Sequence, residues 1–553
     1  MIMKKRFFSL FAMAAGLFMA SCSNDELEVI QSENEAQVTF ALSLENGAQT
    51  RAISDGTGAD RLIYAVFDKE GNRISTIKAV DKTTTFPATE SLTLAKGQTY
   101  KVAFWAQNND CKAYTVNTDK MSVAVDYAQN NKNNDETRDA FFKMEEFTVT
   151  GSTSISVELK RPFAQINVGV TEEDWNAAVA SGITINQSSV VIKNAATSLD
   201  LLTGEVANPV EVNYALGDII TERLSVDVDN DGQKENYRWL SMSYILAADE
   251  TTGDAKTTLE DLSFVFTPEN AKYRNIELHE GLNSVPVQRN WRTNILGTFL
   301  SGKIDINIMI DPSYDGENNN GENFGVQSGG KYYKTIDEAI KDGAENIELA
   351  VGTYKLPAIT GKTLTITGAS QDTKIDLSDG VTLSGTSVAF KNVSIVKENE
   401  NYVGFHHAGN LTYDNCVFEN QYWAYGTSET FDNCVFNQTS ADAYNVWTYG
   451  AKNATFNNCV FNSAGKAVLV YKEAGTERYK AIFNNCEFNA SAPVEGKAAI
   501  EIDASLNPYD VTINSCTANG FAVGSVSGNM LYNLKKGELN TDCTITLQGK
   551  NIM

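Results

Sequence analysis

The chain has 553 residues, 42% of them hydrophobic, and a formal net charge of −25. That length suits two to four domains with full cores. The acidity disfavours nucleic acid and anionic lipid head groups as partners. Only three His residues and no CxxC motif occur, so the eight Cys residues are not spaced as a metal site and no cofactor is implied.

Residues 1–22 read as a targeting segment. Lys4, Lys5 and Arg6 precede an apolar run from Phe7 to Ala20 that is too short to span a bilayer. The run ends in Met19-Ala20-Ser21-Cys22, which resembles a bacterial lipobox with Met where Leu is commoner. That resemblance implies a signal peptide over 1–21, lipidation of Cys22 and a tether over 22–36. Ser23-Asn24-Asp25-Glu26 resembles the acidic signal that sends lipoproteins of Bacteroidota to the cell surface. The location implied is the outer membrane, with the acyl chain as the only membrane contact. The other reading is an ordinary secretory signal with a chance Cys.

Residues 37–312 read as strands. Val38–Leu44, Leu62–Phe67, Tyr100–Trp105, Ile155–Leu159 and Ile304–Ile310 alternate, and Glu70-Gly71-Asn72 and Ala95-Lys96-Gly97 supply turns. Glu172–Ala180 is the best helical candidate. The expectation is two β-sandwiches, over 37–160 and 161–312. Leu159-Lys-Arg161-Pro-Phe-Ala164-Gln-Ile166 and Val285-Pro-Val-Gln-Arg289-Asn290-Trp291-Arg292-Thr293-Asn294 resemble two strand motifs of fimbrillin-like cell-surface proteins of Bacteroidota. The resemblance implies that Arg289 and Asn290 hydrogen-bond a loop between strands and are not catalytic. It also implies other fimbrial subunits as partners and a processing site at Arg51, where cleavage removes the first strand and opens a groove for a partner's strand. An Arg in an ordinary exposed loop is the alternative. Asp227-Val-Asp229-Asn-Asp231-Gly232 starts like a calcium loop, but its twelfth position is Arg238, so an acidic hairpin turn is favoured.

A polar, Gly-rich stretch over 313–328 reads as a linker. Thr335-Ile-Asp-Glu-Ala-Ile340 then puts Ile336, Ala339 and Ile340 on one face of a capping helix. A short motif recurs after it: Tyr413-Asp-Asn-Cys416-Val-Phe418, Phe431-Asp-Asn-Cys434-Val-Phe436, Phe456-Asn-Asn-Cys459-Val-Phe461 and Phe483-Asn-Asn-Cys486-Glu-Phe488. Weaker copies begin at Phe390 and Ile513, the second containing Cys516. In a flat strand this order exposes a Phe or buries an Asp. A one-residue left-handed bend at the second Asn (Asn415, Asn433, Asn458, Asn485) turns both aromatic residues and the Cys inward. The steps between bends, 18 to 30 residues, suit one coil of a parallel β-helix. The Cys row is expected to be reduced and packed as small apolar side chains. The pattern resembles the right-handed β-helix of the pectin-lyase-like superfamily, with its inner asparagine ladder, over 329–553. The fold class expected is all-β: a fimbrillin-like sandwich region followed by a right-handed parallel β-helix.

The pectin-lyase-like superfamily includes lyases and hydrolases. From residue 329 onward the only Arg is Arg478, and Asp442, Glu501 and Asp503 form no recognised catalytic motif, so no catalytic residue is assigned. Aromatic residues precede each motif. Phe405, Trp423 and Trp447 are expected to stack, with His407, Tyr425, Tyr449 and Tyr471 as a second row. Facing outward, these rows make a platform for sugar rings; facing inward, they are core. The apolar parity of Ala499–Asp503 favours core. The function expected is a non-enzymatic surface adhesin or fimbria-associated subunit that binds glycan or protein. The alternative is a polysaccharide-binding or polysaccharide-degrading component of a glycan-uptake system.

Overall fold

The computed structural model describes residues 34–45, 58–226, 228, 234–248, 257–302, 304–311, 322–377, 381–397, 402–406, 409–471, 477–503, 507–526, 529–534 and 543–552. Cys22, Arg51, His407 and most of the acidic turn at Asp227–Asp231 lie outside the described residues. Among the described residues the protein is all-β apart from the α-helices Glu172–Ala180 and Ile336–Lys341 and one turn of 3₁₀-helix at Glu136–Arg138.

Two sheets enclose the first core. One orders Ala88–Ala95, Glu35–Leu44 and Thr153–Leu159, the central strand running antiparallel to the first and parallel to the last. The other orders Val80–Thr83, Arg61–Asp68, Thr99–Gln107 and Ala140–Thr148. Val38, Phe40 and Leu42 share this core with Leu62, Tyr64, Val66 and Phe104. Ile63, Ala65, Phe67 and Trp105 face the other way, into a second core with Phe163, Ile166 and Met242. The run Leu62–Phe67 is therefore buried on both faces. A strand covered on both sides needs no polar face, which explains why its sequence is continuously apolar.

The second core lies against a twelve-stranded sheet. Its main path runs Ile276–Leu278, Ser263–Pro268, Ile185–Asp200, Glu235–Leu246, Phe163–Thr171, Arg292–Thr298, Asp305–Asp311 and Glu322–Asn323. Tyr114–Asn117 and Ser122–Val125 join this sheet through Ile185–Asp200. A few buried charges tie distant segments together. Arg161 donates two hydrogen bonds to Asp139, at 2.8 and 2.9 Å, and its guanidinium lies over Phe141. Asp174 accepts from the backbone N–H groups of Phe299, Leu300 and Ser301. Arg289 donates to the Ala247 carbonyl, and Asn290 Oδ1 accepts from Arg161 N. The half-buried Arg238 forms two hydrogen bonds to half-buried Glu172 at 2.9 Å.

The stretch read as linker differs from its reading at the C-terminal end. Glu322–Asn323 and Val326–Ser328 are strands, and Phe324 and Val326 are buried. Two apolar residues spaced by one are enough to anchor so short a segment against each neighbouring core. The hairpin after it splits its aromatic pair: Tyr332 packs in the sandwich core and Tyr333 in the coil core.

From Asn346 the chain winds in coils. Among the described residues successive coils give parallel strands to three large sheets and to a smaller one of Ile359–Thr360, Val381–Ser384 and Phe405–His406. The first takes Ser387–Lys391, Asn410–Asp414, Ser428–Asp432, Asn453–Asn457, Tyr479–Asn484 and Tyr509–Asn514, each paired in parallel with the next. The second takes Val417–Glu419, Val435–Asn437, Val460–Ser463 and Glu487–Ala490. The third takes Tyr402–Val403, Gln421–Trp423, Val446–Trp447, Val468–Tyr471, Ile500–Asp503 and Tyr532–Leu534. This pairing is compatible with a parallel β-helix. Helix Ile336–Lys341 is capped by Thr335, whose hydroxyl accepts from Glu338 N, and buries Ile336, Ala339 and Ile340 at the start of the stack.

Candidate ligand-binding face

The repeated motif sets the inside of the coils. Asn392, Asn415, Asn433, Asn458, Asn485 and Ser515 all have φ between 52° and 56°, the left-handed region. One such residue between two strands reverses the parity of the second strand. Phe431, Cys434 and Phe436 are all buried, while Asp432 and Val435 are half-buried. Identical rings then stack from coil to coil. Tyr413, Phe431, Phe456 and Phe483 form one column at 4.8, 4.7 and 5.0 Å, and Phe418, Phe436, Phe461 and Phe488 form another at 4.6, 4.7 and 4.6 Å. Cys416, Cys434, Cys459, Cys486 and Cys516 are buried free thiols. Burial raises the Cys434 thiol well above its ordinary range.

The asparagine ladder is on the outside, whereas the pectin-lyase-like resemblance implies an inner one. Asn415, Asn433, Asn458 and Asn485 are exposed, and side-chain amides link Asn485 to Asn458 at 2.9 Å and Asn415 to Asn392 at 2.7 Å. A left-handed residue at the corner leaves its own side chain in solvent while the following Cys turns in. A second ladder, Asp432–Asn457–Asn484–Asn514, runs beside it at 2.8, 2.9 and 3.0 Å.

The third sheet carries the aromatic rows. Here the outcome differs from the expectation of core. Tyr422, Ala424, Val446, Thr448, Val468 and Val470 face inward and are buried. Trp423, Tyr425, Trp447, Tyr449 and Tyr471 have the opposite parity and are half-buried on the outer side. Their rings form one continuous cluster. Trp423 lies 4.9 Å from Trp447 and 5.8 Å from Tyr449; Tyr425 lies 5.4 Å from Tyr449; Tyr471 lies 5.7 Å from Trp447 and 6.0 Å from Tyr449.

Phe405 does not join them. Val403 pairs with Tyr422, which puts Gly404 level with Trp423 and Phe405 level with buried Ala424. Phe405 is 1% exposed and stacks on Phe390 inside. Likewise Ile500 pairs with Val468 and Ile502 with Val470, so the residues level with Leu469 and Tyr471 are Glu501 and Asp503. Counting along the sequence from each Cys misplaces these rows, because the loops from the third sheet to the first differ in length and shift the register by one. A one-residue shift exchanges the two faces.

Glu501 and Asp503 are buried where the aromatic rows end. Glu501 accepts from Ala498 N at 2.8 Å and from Asn533 Nδ2 at 3.2 Å, and pairs with Lys497 at 3.4 Å.

Sequence reasoning missed Glu429. It sits inside the coils, fully buried, in the column Leu411–Glu429–Ala454–Ala481–Val511. Its carboxyl accepts from Tyr422 Oη at 2.7 Å and Gly426 N at 2.5 Å, and Tyr422 Oη in turn meets Tyr413 Oη at 2.7 Å. Burial pushes the Glu429 carboxyl up to about 7 and the Tyr422 hydroxyl well above its ordinary range. A Glu in an otherwise apolar column is the signal that an alignment of the repeats contained.

No curated protein matches the chain. Several solved structures resemble it at low identity. A provisionally named adhesin of Bacteroides thetaiotaomicron is 12% identical, covers 51% of this chain and 97% of its own, with a TM-score of 0.31. A provisionally named cell adhesion protein of Bacteroides uniformis is 11% identical and covers 50% and 99%, with a TM-score of 0.30. The fimbrial anchor protein Mfa2 of Porphyromonas gingivalis is 11% identical and covers 47% and 91%, with a TM-score of 0.25. Residues 30–350 match a family model described as a family of unknown function. That span takes in the sandwich region, the joining hairpin and the start of the coils, and on it the chain belongs to the family DUF6562.

Proposed function

We propose that the chain is a non-enzymatic cell-surface adhesin or fimbria-associated subunit. Lipidated Cys22 tethers it to the outer membrane. Two fimbrillin-like sandwiches, 37–160 and 161–312, form a stalk. A right-handed parallel β-helix over 329–553 carries the binding face. The observation that supports this reading is the outward cluster Trp423, Tyr425, Trp447, Tyr449 and Tyr471, five large aromatic side chains left half-buried on one sheet. Rings of this kind combine a large apolar contact area with a polar tip, and contiguous exposed patches of them mark binding surfaces.

Fimbrial partnership is part of the same reading. Glu35–Leu44 lies between Ala88–Ala95 and Thr153–Leu159. Cleavage after Arg51 would free it to leave, and a partner's strand could take its place.

The test incubates the soluble chain with pectins, host glycans and their digests. Retention without new chain ends is expected. New unsaturated or reducing ends would establish catalysis and overturn the non-enzymatic reading. Mass spectrometry of surface protein should find a diacylated or triacylated Cys22 at the mature N-terminus; an unmodified Cys22 removes the anchor.

A further inference from the structure

We infer that the aromatic face takes an uncharged polysaccharide laid along the coil axis and rejects polyuronates. This rests on the glycan-binding reading above and narrows it to a ligand class.

The rings run from coil to coil, Trp423 to Trp447 and Tyr425 to Tyr449 to Tyr471, so the long axis of the cluster follows the stacking direction. Adjacent levels are about 4.8 Å apart, as in any pair of strands. A polymer with an apolar C–H face on each residue can meet successive rings along that axis, and the Tyr hydroxyls offer hydrogen bonds beside them.

Charge selects among such polymers. Residues 409–451, which include Trp423, Tyr425, Trp447 and Tyr449, contain no Lys or Arg, while Asp414, Glu419, Glu429, Asp432 and Asp442 fall among them. Glu429 is internal; the other four are half-buried or exposed. The two rows then run into Glu501 and Asp503, level with Leu469 and Tyr471 in the next coil. Three described Lys residues beyond this stretch are already engaged. Lys452 pairs with Glu477 at 3.0 Å, Lys497 pairs with Glu501 at 3.4 Å, and Lys466 lies over the Tyr444 ring. A polyuronate would bring one carboxylate per sugar to rows that, among the described residues, carry no cation to receive it. Capture of acidic groups normally relies on Arg or Lys. An uncharged polymer meets no such penalty.

Affinity electrophoresis of the soluble chain through gels containing galactan, glucomannan or polygalacturonate tests this. Retardation by an uncharged polymer is expected, unchanged between low and high salt, with none by polygalacturonate. Trp447→Ala should weaken the retardation about tenfold with the melting temperature held. Tyr425→Ser, at the half-buried edge of the cluster, serves if Trp447→Ala does not fold. Stronger retardation by polygalacturonate, fading with salt, overturns the charge argument and leaves glycan binding standing. Equal retardation by both polymers also overturns it. Absence of retardation in every gel, from folded protein, overturns the glycan-binding reading itself, as does binding that ignores both substitutions.

Discussion

The sandwich region makes its tertiary ties at single points, whereas the coil stack lays its contacts out in rows. Arg161 and Asp139 occur once, and so does the Asp174 carboxylate that gathers three backbone N–H groups from 299–301. In the stack the same side-chain amide bond recurs from Asn457 to Asn484 to Asn514, and the same ring contact from Phe431 to Phe456 to Phe483. A one-point anchor joins segments far apart in sequence, so its loss is felt by the whole region. A row joins only neighbouring coils, so stability is close to a sum of coil and interface contributions.

The largest effects separate these two designs. Arg161→Ala leaves Asp139 buried and uncompensated and should cost about 3–5 kcal/mol. Phe456→Ala removes a ring stacked on both sides and should cost a similar amount, about 3–5 kcal/mol. The difference lies in where the loss appears. Hydrogen exchange should rise throughout the sandwich strands for Arg161→Ala. For Phe456→Ala it should rise in the coils adjoining Phe456, with the sandwich unchanged. A uniform rise in both variants would mean that the two regions do not differ in this way.

Glu429 gives a smaller, pH-dependent effect. Its folded carboxyl is raised from 4.5 to about 7, chiefly by burial. Between those values the folded protein keeps a proton that the unfolded chain has lost, so this group's contribution to stability falls as pH rises. Glu429→Gln abolishes that dependence while keeping an acceptor for Gly426 N and offering its amide N–H to Tyr422 Oη. The variant should gain on the parent protein as pH rises from about 4.5 to about 7, by at most about 3 kcal/mol. Parallel stability curves for parent and variant across that range would refute the assignment.

How much of this could be read beforehand depended on repetition. The bend at Asn433 was legible because the same six-residue motif returns, and one parity reversal accounts for every copy. The outward aromatic face was not. Phe405 and Trp423 stand at the same distance from their Cys, yet fall on opposite faces because the loop leading to Asn410 is one residue longer than the loop leading to Ser428. The anchors of the sandwich region were hidden for another reason. Asp139 and Arg161 are brought together by the fold across 22 residues, and neither lies in a repeat that would mark it as unusual. The continuous run Leu62–Phe67 showed that a strand was there, but not that two cores covered it.

The bends themselves give the smallest effect. Asn433→Ala places a Cβ-bearing residue without a helpful polar side chain at φ 56° and should cost about 1–2 kcal/mol. Asn433→Gly should cost less, since Gly adopts that region freely. Thermal melts of the two variants check the order; Gly worse than Ala would mean that the left-handed bend is not what limits the choice of residue at this corner.

The outward placement of Trp423 and Trp447 is the claim on which the functional reading depends, and acrylamide quenching of tryptophan emission reports it most directly. Trp105, Trp175 and Trp239 are buried and give little quenchable signal, whereas Trp291 is half-buried like Trp423 and Trp447, so Trp291→Phe is the background in which parent and variant are compared. The double variant Trp423→Phe/Trp447→Phe, still folded, should lose most of the quenchable emission and any spectral shift on adding the uncharged polysaccharide. Quenching and spectral shift that stay as they are in the parent protein would place those two indoles inside the coils and contradict the account.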